Sequence, residues 1–515
     1  MNTRAEVVKS LPVVAMAVVA LVCGGCVANK AYRADGTVPH AERRASIQLG
    51  GRVGPDALGG AAAGPAAAKE DFPWPCKPSV TERDGSAEKT SEPFDLAFIE
   101  FDDMGEFWTI GNLKKTPLKD NSQLEESLEL IKMRKKESGD KVVVITFIHG
   151  WRNNASEGNE KGKKNLCGFR NTLRSLAMED HGQHRYIGIF ISWRGTVISG
   201  DFFFTYFNRR DAANRIAGPS MTEALFKLMY ATRPWTAMQN VCSAESAGTQ
   251  RDPEDSHFVI VGHSFGGRLL ERAVAQPFMA MMVERAARQA ACGKSADFSP
   301  PADLIVFINP ANDSLEGKAI IEGMLRLGVV SANQRPFFLS ISSIGDFATR
   351  RGMPFAQWFT LSGMRSRKVY DEKADERGQL KKKQSFYFNN SEANVQELRS
   401  HQIKPEDCPS ESNAGRNQIG SDIHFQVRKP AGGVPDCYVA TKDPGDPWNK
   451  TPFWVIDAGR QLMQNHSDIF TPAIKAFFIQ IVRSTHQEGT KLRISADGRE
   501  NRETPAAGAE LKSEK

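Results

Sequence analysis

Short apolar runs rich in β-branched residues alternate along this chain with longer stretches of helix-forming residues. The stretch FDLAFIEFD (94–102) reads as an edge strand or the start of a hairpin, and KVVVITFIHG (141–150) as a strand whose continuous apolar run suits burial on both faces. A helical piece, KKNLCGFRNTLRSLAMED (163–180), leads to a further strand, RYIGIFISWRG (185–195). Helical character returns over 198–232, opening with the aromatic cluster DFFFTYF (201–207). In HFVIVGHSFGGRLLERAV (257–274) an apolar strand passes directly into a helix. The runs ADLIVFINP (302–310), FFLSISS (337–343) and FWVIDA (453–458) complete the strands. Such alternation implies right-handed crossovers and a doubly wound, mostly parallel α/β sheet. The polar, Lys/Asn/Ser-rich stretch 364–450 falls between the last two strands and reads as an insertion, either a cap over the site or a loop.

The ends carry a different pattern. Arg4 and Lys9 precede the apolar run 11–22, which is too short to span a bilayer but matches the core of an export signal. Gly25 and Cys26 then resemble the cleavage site of a bacterial lipoprotein signal, so 1–26 is expected to be removed up to a lipidated Cys26. Ordinary cleavage and an uncleaved anchor are the other readings. Residues 27–92, rich in Ala, Gly, Pro and charge, are expected as a disordered tether, and 487–515 as a disordered tail. The domain proper is then 93–486. These features imply an exported, envelope-anchored protein, attached to the membrane through its N-terminal lipid.

Composition narrows the function only a little. The net charge of +6, from 67 basic and 61 acidic residues, is a mild excess that gives no reason to expect a nucleic-acid partner. The cysteines beyond the signal form no C-x-x-C pair and lack histidines at zinc spacing, so no metal site is expected. Export permits disulfides, and Cys408–Cys437, flanking one polar segment, is the expected bridge.

The chemistry gathers around Gly262-His263-Ser264-Phe265-Gly266, a G-x-S-x-G motif at the strand-to-helix turn. Gly262 and Gly266 leave room for a turn sharp enough to present the Ser264 hydroxyl. A serine nucleophile needs a base oriented by a third group, and backbone N–H donors for the oxyanion. Asp346 lies just beyond the strand ending at Ser343, and His466 lies in the segment after FWVIDA. Asp313, following the strand before, is the alternative acid, and His424, within the insertion, the alternative base. Gly150 and Trp151 close the FIHG strand, where the Trp151 N–H can join that of Phe265 as oxyanion donors. His149 and His263 read as structural parts of the site. Trp193 and Arg194 either line the pocket or serve packing and an ion pair. The aromatic run Phe202, Phe203, Phe204, Tyr206 and Phe207 reads as core, with an acyl pocket or membrane contact as the alternatives.

The motifs FIHGW, SWRG, VGHSFGGR, FINP, SIGDFAT and HSDIF, in this order, resemble those of α/β-hydrolases, in particular a poorly characterised branch of bacterial serine hydrolases, over about 94–486. The resemblance implies an α/β-hydrolase sheet with Ser264 as nucleophile, Asp346 as acid and His466 as base. It also implies a small ester or acyl substrate and no cofactor. The competing expectation is an envelope protein that has kept the fold without the activity and binds a partner.

Overall fold

The computed structural model describes residues 31–33, 46–51, 76, 80–84, 87–108, 122–156, 164–195, 203–233, 256–292, 296–298, 300–331, 335–358, 368–369, 382–408, 422–427, 435–442, 451–487 and 492–494. Their centre is one mixed, mostly parallel sheet of 13 strands. In chain order these are β1 (Ile47–Leu49), β2 (Val80–Asp84), β3 (Ala87–Thr90), β4 (Asp95–Phe101), β5 (Val142–Ile148), β6 (Arg185–Trp193) and β7 (His257–His263). Then come β8 (Leu304–Ile308), β9 (Phe338–Ser342), β10 (His401–Glu406), β11 (Ile423–Val427), β12 (Asp436–Lys442) and β13 (Phe453–Asp457). Across the sheet they run β11-β12-β10-β13-β9-β8-β7-β5-β6-β4-β1-β3-β2, and the eight from β10 to β4 are all parallel.

The central strands are apolar at successive positions because both faces are covered. In β5, Val142, Val144 and Ile148 join one core, while Val143, Ile145 and Phe147 join the other. The first core takes side chains from α1 (Ser122–Ser138), α3 (Phe203–Ile216), α4 (Pro219–Thr232), α5 (Phe265–Cys292) and α6 (Ser314–Leu327). The second is closed by α2 (Lys164–Glu179) and α7 (Pro472–Gln487), with Leu173, Phe477 and Ile481 among its buried residues. The strand order reverses between β5 and β7, where Ile148 lies beside Gly262. At such a switch point the two flanking loops diverge and leave a crevice beyond the carboxyl ends of the strands.

Several segments differ from what their composition suggests. The strand over 94–102 is not at an edge, since β4 lies between β6 and β1. Within 27–92, expected as a tether, the described residues contribute β1, β2 and β3 to the sheet, and Cys76 is disulfide-bonded to Cys167 of α2. Arg33 is buried there, with its guanidinium 3.9 Å from the centre of the Phe98 ring. These pieces are too short to show a period of their own; pairing with β4 and one buried cation make them part of the fold. Within 364–450, expected as an insertion that is either a cap or a loop, three strands join the main sheet. They extend the sheet through β10, β12 and β11, and Cys408, just past β10, is disulfide-bonded to Cys437 of β12. Beyond residue 487, Leu492–Ile494 pairs with Val329–Ser331 and Ala296–Phe298 in a small antiparallel sheet.

The 364–450 segment is also pinned by a buried polar cluster. Glu392 accepts from Asn312 Nδ2 at 2.9 Å and from Ser340 Oγ at 3.2 Å, and the same amide reaches Glu271 of α5. Burial pushes the Glu392 carboxyl up to about 7. The expected signal and lipidation site, residues 1–26, lie outside the described residues. No helix among those described is long and apolar enough to cross a membrane. Two disulfides among them suit an oxidising, extracytoplasmic compartment.

Candidate active site

The turn between β7 and α5 is held by contact rather than by loop length. Ser264 has φ +57°, in the left-handed region, which costs a non-glycine residue about 1–2 kcal/mol. Its backbone is fixed on both sides. Ser264 N donates to Ile308 O at 3.1 Å, and Ser264 O accepts from Ala311 N at 2.9 Å. The flanking glycines are required by close approach. A Cβ on Gly262 would lie 2.6 Å from Gly266 O, and one on Gly266 would lie 2.2 Å from Ile148 O.

Three side chains from separate strand ends meet here. His466 Nδ1 lies 2.8 Å from Asp346 Oδ2, and His466 Nε2 lies 2.8 Å from Ser264 Oγ. A carboxylate only accepts, so Nδ1 carries the ring proton and Nε2 is left to accept from the serine hydroxyl. Asp346 is buried and saturated with donors. Its Oδ1 accepts from Ala348 N at 2.8 Å and Thr349 N at 3.2 Å, and its Oδ2 also accepts from Thr349 Oγ1 at 2.6 Å. Burial alone raises this carboxyl, but the His466 charge and hydrogen bond, with those from Thr349, outweigh it and hold it below the ordinary value.

The alternative residues lie elsewhere. Asp313 pairs with Arg268, Oδ2 to Nη1 at 3.4 Å. His424 is exposed on β11 and faces Glu406 at 2.9 Å. Trp193 donates through Nε1 to His149 O at 2.9 Å, and Arg194 forms an ion pair with Asp103. Of the aromatic run, Tyr206 is buried with its ring 6.2 Å from Trp151 and 5.4 Å from Phe265, and Phe207 packs on it. Phe202 lies outside the described residues, and of Phe203 and Phe204 only their place in α3 is described.

The loop after β5 closes directly over the serine. A Cβ on Gly150 would lie 2.7 Å from Ser264 Cβ, so Gly150 runs immediately beside the hydroxyl-bearing carbon. Gly150 N donates to Asn165 Oδ1 at 3.3 Å, and Arg152 N to Gly195 O at 2.9 Å. The Trp151 and Phe265 rings pack edge to face at 6.2 Å. His149 is buried and neutral, since Trp193 N donates to its Nε2 at 3.1 Å and its Nδ1 faces Gly150 O at 2.8 Å. Burial lowers it to about 4.

Two neighbouring side chains, one of them the His263 read from the motif as structural, hold His466 by its backbone. The carbonyl of His466 accepts from His263 Nε2 at 3.1 Å and from Asn309 Nδ2 at 3.0 Å. Asn309 itself sits at φ +43°, at the end of β8. Burial, then the nearby His466 charge, lowers His263 to about 3, so it serves as a neutral donor. The loops carrying Asp346 and His466 touch backbone to backbone, because a Cβ on Gly345 would lie 2.7 Å from Gln464 O. Asn309 was visible in FINP as a strand-ending asparagine, whereas nothing local marks Thr349 as the partner of Asp346.

No protein-family model, curated protein or solved structure matches this chain.

Proposed function

We propose that the chain is a hydrolase of the α/β-hydrolase fold, on two supports. One is the strand order around β5 and β7; the other is a nucleophile turn after β7 with its acid after β9 and its base after β13. Within that class the activity assigned is hydrolysis of a carboxylic ester by an exported enzyme attached to the envelope through Cys26. The observation that carries the reading is the Ser264–His466–Asp346 chain, 2.8 Å at each link.

The proposed steps use the groups of this site. Ser264 Oγ attacks the ester carbonyl as His466 Nε2 takes its proton, and the buried Asp346 carboxylate stabilises the imidazolium. The Trp151 and Phe265 N–H groups receive the oxyanion, and His466 then protonates the departing alkoxide. Water attacks the acyl-enzyme with His466 as base and frees Ser264. Acyl transfer of this kind runs on side chains and water.

The test is labelling of the folded protein by a fluorophosphonate, with peptide mass spectrometry to locate the adduct. Labelling at Ser264 that disappears in Ser264→Ala and drops sharply in His466→Ala is expected. A folded protein that stays unlabelled would favour the inactive binding module.

A further inference from the structure

The rim of the candidate site carries groups that ester hydrolysis does not use. The strands from β4 to β10 are parallel, so the segments after β4, β5 and β9 open on the same edge as Ser264. On that edge Met104 is 66% exposed, Phe347 71% and Phe355 57%. The same segments carry three exposed cations, Arg152, Arg350 and Arg351, with Glu106 the exposed acid beside Met104 in the chain. Exposed aromatics and arginines alternating along one segment, as over 347–355, suit the boundary between lipid headgroups and acyl chains.

The N-terminal segment brings the chain to the same edge. Tyr32 N and Arg33 N each donate to the Glu100 carboxylate at 2.9 Å, near the carboxyl end of β4. Arg33 Nε donates to Ala155 O at 3.0 Å, and Asn154 Nδ2 to Tyr32 Oη at 3.3 Å, both in the loop that follows Gly150. Only residues 27–30 separate Cys26 from this docked segment. Fully extended, the chain from 26 to 31 reaches about 17 Å. An anchor at or before Cys26 therefore holds this rim, rather than the opposite edge of the sheet, close to the membrane.

We propose that the site rim docks on an anionic lipid surface. Phe347, Phe355 and Met104 enter the headgroup region, and Arg152, Arg350 and Arg351 face lipid phosphates. Ser264 then opens toward esters held in the bilayer. The identity of the ester rests on the hydrolase reading above; the docking does not.

The experiment uses the full chain, anchored by its own N-terminus in two sets of vesicles, one of zwitterionic phospholipid alone and one with about 30% anionic phospholipid. Amide hydrogen exchange over 101–108 and 344–358 is expected to slow on the anionic vesicles and to recover at about 0.5 M salt. Phe347→Asp with Phe355→Asp should abolish that protection while leaving exchange in β5 and β7 unchanged, which shows the variant is folded. The double variant should also lose about tenfold or more in turnover of a bilayer-embedded ester but keep that of a water-soluble one. Protection that is absent, equal on both lipids, unchanged in the variant, or dependent on protein concentration without vesicles overturns the proposal. If protection follows lipid charge while the wild type cleaves neither ester, docking stands and the hydrolase reading fails.

Discussion

At the scale of single residues, the site depends on how many donors converge on one carboxylate. Asp346 takes four hydrogen bonds, two of them from Thr349. Asp346→Asn should leave the fold intact but present an amide to Nδ1 and upset the histidine tautomer, lowering kcat by about 10⁴-fold. Thr349→Val removes only the 2.6 Å hydroxyl bond, and a net loss of about 1 kcal/mol corresponds to roughly fivefold in kcat with KM unchanged. Steady-state kinetics on a soluble ester checks both, and a Thr349→Ser variant that recovers the rate separates positioning from packing. Why Asp346 and not Asp313 fills this place is also a residue-scale matter. Asp313 is already neutralised by Arg268, whereas Asp346 lies on the loop that touches the histidine loop. Both follow strands in the sequence, and chain position favours Asp346, which lies closer to its strand end, while leaving Asp313 as an alternative.

At the scale of elements, the docking of β10 onto β13 carries a titratable group with a predictable effect. His401 opens β10 fully buried, its ring stacked 3.8 Å from that of Trp454. Burial, then the Lys442 charge, lowers it to about 3. Its folded value lies below its ordinary one, so the unfolded chain binds more protons as the pH falls. Stability from the neutral ring is complete above about pH 6.5 and is lost progressively down to about pH 3. His149 and His263, lowered to about 4 and about 3, act with the same sign. His401→Phe keeps the stacking without the titration. Urea unfolding at pH 7 and pH 5 should show the variant losing about 2 kcal/mol less than the wild type over that interval. Equal losses in the two proteins would mean that His401 is not held neutral. Nothing in the run around 401 marks it as a strand of the main sheet; β13 and β12, on either side, make it one.

At the scale of the whole molecule, one covalent link ties the N-terminal segment to α2 and a second closes a loop within 364–450. Cys76–Cys167 joins residues 91 apart, and Cys408–Cys437 joins residues 29 apart. The longer loop restricts the unfolded chain more, so replacing the first pair by serine should cost about 1 kcal/mol more than replacing the second. Urea midpoints of the two double variants provide the comparison, and the reverse order would show that strand pairing, not loop closure, holds β2 and β3 in place.

The sequence by itself determined the alternation of strands and helices, the turn at Ser264 and the candidacy of Asp346 and His466. These are local properties: apolar runs report burial on both faces of a strand, and a serine between close-packed glycines reports one steric situation. The tertiary structure decided that Asp346, not Asp313, meets His466 and that Asn309 and His263 hold His466 by its carbonyl. It also decided that parts of 27–92 and 364–450 belong to the sheet. Each of these depends on contacts between residues far apart in the chain, such as β1 with β4 or Glu392 with Asn312. A short polar strand has no signal of its own, because its stability comes from the neighbour whose hydrogen bonds it completes.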